Sequence, residues 1–135
     1  MSLKNYFALH RGTGILTTAD SAGKPNTAVF ARPTVMEDGS LALIMRDRLT
    51  YHNLQENPAA HYLFIEQHPG YRGTRLALRM LREDQDPALV ARLTRRNLSR
   101  RRILPQARNR SSISPSNSCL SCSAVTRSLR PGSSL

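Results

Sequence analysis

The chain has 135 residues, which is enough for one domain with a modest hydrophobic core. No run approaches the roughly 18 apolar residues of a membrane-spanning helix, and no signal-peptide core follows Met1, so we expect a soluble, cytoplasmic protein. Residues 1–91 carry ten of the 20 basic residues and all nine acidic ones, whereas residues 92–135 carry ten arginines and no acid. The net charge of +11 therefore belongs to the C-terminal part, and the near-neutral body argues against nucleic acid as its partner.

Short apolar runs separated by turn residues predict a mainly β fold with short helices. The first two strands flank Asp20–Pro25, whose Asp, Ser and Gly residues are typical of a tight turn. Asp86 is a good cap for a last helix, because Pro87 would occupy its first turn. In chain order we predict a helix over Leu3–His10, strands over Gly14–Ala19, Thr27–Arg32 and Leu41–Met45, a helix ending at Asn57, strands over Ala59–Glu66 and Gly73–Arg82, and a helix from Asp86.

The segment RDRLTYHNLQENP, residues 46–58, brings basic residues to the start of the middle helix. We predict Thr50 as the N-cap of that helix, because its hydroxyl can accept a hydrogen bond from a backbone N–H one turn further on. Free N–H groups, the positive end of the helix and the guanidinium groups of Arg46 and Arg48 would together stabilise a phosphate. The alternative interpretation is an ordinary capped helix with solvated arginines.

From about Asn97 the composition changes, since residues 111–135 hold ten serines and neither acids nor aromatic residues. We therefore divide the chain into a folded domain over residues 1–96 and an Arg/Ser-rich tail over residues 97–135, for which we expect disorder. Three interpretations of the tail stay open: a basic arm for nucleic acid or anionic lipid, an unstructured terminus, and a shifted reading frame. No part of the tail is an obvious candidate for a further strand.

Three segments in this order resemble the pyridoxamine 5′-phosphate oxidase-like FMN-binding split barrel family. They are GILTTADSAGKPNTAVFARP, EDGSLALIMRDRLTYHNLQENPAAHYLF and GYRGTRLALRML, and the resemblance covers about residues 3–95. It implies a Greek-key β-barrel and a homodimer with FMN at the interface between the two copies. In such proteins the flavin lies along the second and third strands, and its phosphate meets basic and hydroxyl side chains at the start of the next helix.

The resemblance also implies which residues would bind the cofactor. Many members of the family carry a Ser/Thr-x-Lys pattern just before this helix. The matching triplet here is Arg48-Leu49-Thr50, which has the cation and the hydroxyl in exchanged order, so Arg48 would supply the charge and Thr50 the hydroxyl. The full set of expected FMN contacts is Val29, Phe30, Ala31, Arg32, Ile44, Met45, Arg46, Arg48, Leu49 and Thr50.

The function implied by the resemblance is that of an FMN-dependent oxidoreductase, with a small molecule or NAD(P)H as the substrate to be identified. The residues point to no catalytic acid or base, and no His, Asp or Glu cluster has the spacing of metal ligands. Two alternatives are a flavin-binding or sensing protein without turnover, and a nucleic-acid-binding module that uses the basic tail. We expect neither membrane nor metal binding.

Overall fold

The computed structural model describes the backbone of residues 1–101 and 117–125 and the side chains of residues 1–95. Within these residues the chain forms three helices and seven strands. In order they are α1 (Leu3–Leu9), β1 (Gly12–Ala19), β2 (Pro25–Phe30), β3 (Thr34–Val35), β4 (Leu41–Arg46), α2 (Leu49–Glu56), β5 (Ala59–Glu66), β6 (Gly73–Asp84), α3 (Pro87–Arg101) and β7 (Asn117–Val125). No helix among the described residues is both long and apolar enough to cross a lipid bilayer.

The predicted turn between β1 and β2 is confirmed, and its side chains explain it. The Asp20 carboxylate accepts hydrogen bonds from the backbone N–H groups of Ala22 at 2.9 Å and Lys24 at 2.8 Å. Gly23 takes φ +83°, a left-handed conformation that costs glycine little. The turn therefore sets the antiparallel register in which Thr18 lies opposite Asn26.

The seven strands form one sheet in the order β2-β1-β5-β6-β7-β4-β3, with every neighbouring pair antiparallel. Laid flat, seven strands would separate the two edges by roughly 29 Å. The chain joins those edges directly, because only the segment from Phe30 to Thr34 links β2 to β3, and it spans at most about 14 Å. The sheet must therefore curl until its two edges approach each other, as in a barrel.

The interior of this curled sheet holds the main hydrophobic core. Leu16, Tyr62 and Leu76 lie side by side on β1, β5 and β6 and are all buried. Helix α1 adds Tyr6 and Phe7, whose rings meet Phe64 edge to face at centroid distances of 6.0 and 5.4 Å. A second cluster, built on Ala42 of β4 and Leu93 of α3, packs α3 against the barrel.

The short strand β3 was not predicted, and β2 covers Pro25–Phe30 rather than Thr27–Arg32. Two elements of the C-terminal part differ as well. The closing strand β7 lies between β6 and β4, so the expectation that the tail contains no further strand is wrong for residues 117–125. Its Ser, Cys and Ala residues have no clear alternation, and the strand is specified by the ladders on both sides rather than by its own pattern. Helix α3 continues to Arg101 and crosses the predicted boundary at residue 96. The other tail residues, 102–116 and 126–135, lie outside the described residues.

Candidate flavin-binding site

The start of α2 is fixed to the β1–β2 hairpin by two side-chain hydrogen bonds. Asn26 Nδ2 donates to Thr50 Oγ1 at 3.2 Å. About one helical turn further along α2, Asn53 Nδ2 donates to Thr18 Oγ1, also at 3.2 Å. Since Thr18 and Asn26 are cross-strand partners, both bonds meet the hairpin at the same level. Sequence reasoning missed Asn26 and Asn53, because the residues around an isolated asparagine do not indicate which distant residue its side chain contacts.

The prediction that Thr50 caps α2 is wrong. Arg48 is the N-cap residue, with extended backbone at φ −143° and ψ −176°, and the helix begins at Leu49. The side chain of Arg48 makes no capping hydrogen bond. Thr50 is only 7% exposed, and its hydroxyl is engaged by Asn26 instead of a backbone N–H of its own helix. The tertiary contact with β2 therefore prevails over the local capping preference.

The first turn of α2 has the electrostatic character of an anion-binding end. The first intrahelical hydrogen bond runs from the His52 N–H to the Arg48 carbonyl at 3.1 Å, so the three preceding N–H groups have no partner within the helix. No acidic residue occupies this turn. The side chains of Arg46 and Arg48 are exposed beside it. Dipole and guanidinium charges therefore favour a negative group here.

One carboxylate does lie near this end, and it is paired. Asp47 Oδ1 is 2.8 Å from His52 Nε2, and the two side chains are 61% and 63% exposed. Such an exposed pair contributes little to stability. It nevertheless gives Asp47 a partner on α2 and engages His52, which could otherwise have joined an anion site.

The remaining expected FMN contacts divide according to the side of the strand they occupy. Val29 is 75% exposed on β2, whereas its neighbour Phe30 packs against the main core, because successive strand residues point to opposite faces. Met45 is 1% exposed and belongs to the core. Ile44 packs against the second cluster, and Leu49 is 59% exposed at the start of α2. Ala31, just beyond the end of β2, is exposed as well, so that Val29, Ala31 and Leu49 are the apolar residues of this set that face solvent.

Arg32 lies at the opposite end of β2 from Thr50. Its Nη1 donates to the carbonyl oxygens of Phe7 and His10, both at 2.7 Å, so that its positive charge meets the C-terminal end of α1. Asn26 lies near the start of β2, and Arg32 lies two residues beyond its end at Phe30, so the strand between Asn26 and Phe30 alone spans about 13 Å. Within one copy of the chain, Arg32 is thus engaged by the end of α1, whereas Thr50 contacts Asn26 near the start of β2.

The short crossing from β2 to β3 is held from inside the barrel. The Tyr62 hydroxyl donates to the carbonyl of Ala31 at 3.3 Å. Burial raises the pKa of Tyr62, which keeps this phenol protonated and able to donate. Gly14 gives the Tyr62 ring room to pass, because a Cβ there would collide with the phenol and lie 2.7 Å from the carbonyl oxygen of Phe30.

A second tyrosine links α2 to β6. The Tyr51 hydroxyl lies 3.1 and 3.0 Å from the two carboxylate oxygens of Glu83. This hydrogen bond raises the pKa of Tyr51, because the carboxylate favours the protonated phenol. Among the residues described, no group of three or more His, Cys, Asp or Glu side chains could hold a metal ion.

No family model matches the sequence. No curated protein matches it at a significant level either. Among solved structures, an FMN-binding protein from Syntrophomonas wolfei subsp. wolfei has a TM-score of 0.66 at 19% identity, over 94% of this chain and 84% of that one. An F420 reductase has a TM-score of 0.64 at 16% identity, over 93% of this chain and 96% of the other.

A pyridoxamine 5′-phosphate oxidase-related, FMN-binding protein from Nostoc punctiforme has a TM-score of 0.56 at 13% identity, over 90% of this chain and 76% of that protein. These likenesses establish a fold class: the chain has the mainly β fold of the FMN-binding split barrels. The resemblance drawn from the sequence is thereby confirmed at the level of the fold.

Proposed function

We propose that this chain binds FMN along β2, with the phosphate at the Thr50 end of the strand and the flavin ring toward Ala31. The observation that carries the proposal is the attachment of a helix N-terminus, flanked by two exposed arginines, to an edge strand. Asn26 ties the first turn of α2 to β2, and Arg46 and Arg48 are exposed beside that turn. The structural neighbours named as FMN-binding support the choice of ligand.

The donor set fits the parts of FMN. The Thr50 hydroxyl, the N–H groups of the first turn and the two guanidinium groups match a phosphate, which accepts several charge-assisted hydrogen bonds. Strand β2 stands at one end of the sheet order, so one side of its backbone has no strand beside it among the residues described. Free N–H groups there can donate to flavin carbonyls. The exposed side chain of Val29 offers an apolar contact for the ring.

We further propose that two copies of the chain form the functional unit. On the outer face of the sheet, Val29, Ile15 and Leu63 form one row of cross-strand partners, and Ile65 lies in the next row. Apolar side chains aligned in this way favour association with another apolar surface. A second copy would cover this face next to the flavin. Leu63→Lys should then convert a dimer into a monomer in sedimentation velocity, and a wild-type monomer would contradict the proposal.

The proposed activity is that of a flavin-dependent oxidoreductase. Bound FMN would supply hydride or electron exchange, while the protein binds and orients it. Thr50 would bind the phosphate, the Val29 side chain would contact the flavin ring, and Tyr62 would fix the β2–β3 crossing. Tyr51 and His52, the titratable groups nearest to Thr50 in the helix, are engaged by Glu83 and Asp47. We therefore assign the protein no proton-transfer step.

Titration with FMN tests the binding proposal. Wild-type protein should quench flavin fluorescence with saturation, and Arg48→Ala should weaken FMN binding about tenfold, the effect of losing one exposed charge-assisted contact. Lys4→Ala is the matched control, because it removes one exposed charge from α1. Equal affinities of the three proteins would remove Arg48 from the site. No binding by the wild type would overturn the proposal as a whole.

A flavin-binding protein without turnover is the second candidate. It is favoured by the engagement of Tyr51 and His52, which leaves neither of them as an obvious proton donor. The two functions differ in one assay. The oxidoreductase should oxidise NADH or NADPH once loaded with FMN, whereas the binding protein should retain FMN without consuming either reductant.

A further inference from the structure

The hydrogen bond between Asn26 and Thr50 has a defined donor and a defined acceptor, and this direction matters for the proposed phosphate site. The Asn26 side-chain amide donates, and the Thr50 oxygen accepts, in a bond of 3.2 Å. A threonine hydroxyl has one hydrogen to donate and lone pairs to accept. Because Asn26 occupies a lone pair, the hydroxyl hydrogen stays available for another acceptor. Among the residues described, Asn26 is the hydrogen-bond partner found for this hydroxyl, although Thr50 is only 7% exposed.

Another helical threonine of the chain, Thr94, uses its hydroxyl hydrogen differently. Thr94 in α3 donates to the carbonyl of Val90 at 2.8 Å, the usual internal bond of a helical threonine. Thr50 is also helical, but it lies in the first turn, where no carbonyl of the helix precedes it by one turn. Its hydrogen therefore requires an acceptor from outside the helix. The neighbouring cations Arg46 and Arg48 make an anion the suitable one.

We propose that Asn26 is a positioning residue that directs the Thr50 hydroxyl as a donor toward the cofactor phosphate. Asn26 thereby sets the preference of the protein for FMN over riboflavin, the same flavin without the phosphate. This inference rests on the proposed function, since it assigns a role at the same site. It adds a residue of β2 to the phosphate end and gives that end a defined donor.

A second asparagine, which lies on α2, provides a control for the effect of such a bond on the position of the helix. Asn53 makes the same amide-to-hydroxyl bond with Thr18 under the same helix, at the same length. That bond is buried, with Asn53 at 3% and Thr18 at 2% exposure, and it lies away from the helix start. Asn53→Leu should therefore loosen α2 without altering the discrimination between phosphorylated and unphosphorylated flavin.

The experiment measures the dissociation constants of FMN and riboflavin by fluorescence quenching for five proteins: wild type, Asn26→Leu, Thr50→Val, the double variant and Asn53→Leu. We expect Asn26→Leu and Thr50→Val each to reduce the ratio of FMN to riboflavin affinity about tenfold. In the Thr50→Val background, Asn26→Leu should have no further effect on the ratio, because its action passes through the hydroxyl. Asn53→Leu should keep the wild-type ratio.

The outcomes separate the inference from the proposed function. Wild-type protein that binds neither flavin would overturn both. If the wild type prefers FMN and Asn26→Leu has the same preference, the role of Asn26 alone is overturned. Additive losses in the double variant would also overturn it, because Asn26 would then act independently of Thr50. Asn26→Asp serves as a second variant if Asn26→Leu does not fold, since a carboxylate accepts the hydroxyl hydrogen and should reduce the ratio as well.

Discussion

Arg32→Ala should destabilise the fold. We expect this loss to come from the contact with α1 and not from the proposed phosphate site. The substitution removes two hydrogen bonds of 2.7 Å from a charged donor to the carbonyls of Phe7 and His10. Bonds to charged groups contribute about 1.5–3 kcal/mol each, and water can replace part of that at a half-exposed site. We therefore expect a loss of about 2–3 kcal/mol, which lowers the Tm of a chain of this length by about 8–12 °C.

Thermal melts followed by circular dichroism measure this effect. Arg48→Ala is the matched control, because its side chain is exposed and makes no capping bond. It should leave the Tm close to that of the wild type. Arg32→Lys should fall between, since a lysine retains the charge at the end of α1 but not the planar fork. If Arg32→Ala shifts the Tm no more than Arg48→Ala and weakens FMN binding instead, Arg32 is a phosphate ligand and the structural account of it is refuted.

Three further substitutions test the packing. Gly14→Ala should cost about 1–3 kcal/mol in urea unfolding, because its Cβ would lie 2.7 Å from a backbone oxygen that cannot rotate away; wild-type stability would contradict that close approach. Asn53→Leu should cost about 1–3 kcal/mol by leaving the Thr18 hydroxyl without its donor, and an unchanged unfolding midpoint would argue against the bond. Hydrogen bonds from Ser40 lower the pKa of Asp38. The ionised Asp38 carboxylate therefore stabilises the folded state above the ordinary aspartate pKa, and this contribution is lost as the pH falls through the lowered value. Melts from about pH 6 down to about pH 3 should therefore show a smaller acid loss for Asp38→Asn than for the wild type, and equal losses would count against this assignment.

The sequence was sufficient for the elements whose pattern is local. The β1–β2 turn follows from Asp20 and Gly23, and the cap of α3 follows from Asp86, whose carboxylate accepts from the Ala88 N–H at 3.0 Å. Strands β1, β4 and β5 carry apolar runs that are recognisable without the fold. Their order along the chain was enough to indicate a split barrel, which the structural comparisons confirm.

What the sequence could not provide depends on contacts between distant residues. Asn117–Val125 is a strand because β4 and β6 lie on either side of it, and its composition alone indicates a loop. Thr50 has the chemistry of a helix cap, but Asn26 engages its hydroxyl from another element. Arg32 was predicted as a phosphate ligand because a charge next to an apolar strand requires a partner, and the sequence could not indicate that its guanidinium donates to carbonyls at the end of α1. In each case hydrogen bonds to residues distant in sequence determined the outcome.

We propose that the protein is a split barrel that binds FMN with the phosphate at the first turn of α2. The most direct test is the visible absorption spectrum of the purified full-length chain, recorded after incubation with FMN and removal of unbound flavin by gel filtration. We expect the protein fraction to keep the yellow bands of oxidised flavin, and Arg48→Ala to lose them more readily than Lys4→Ala. A wild-type fraction that emerges colourless, while circular dichroism reports an intact β fold, would contradict the proposal.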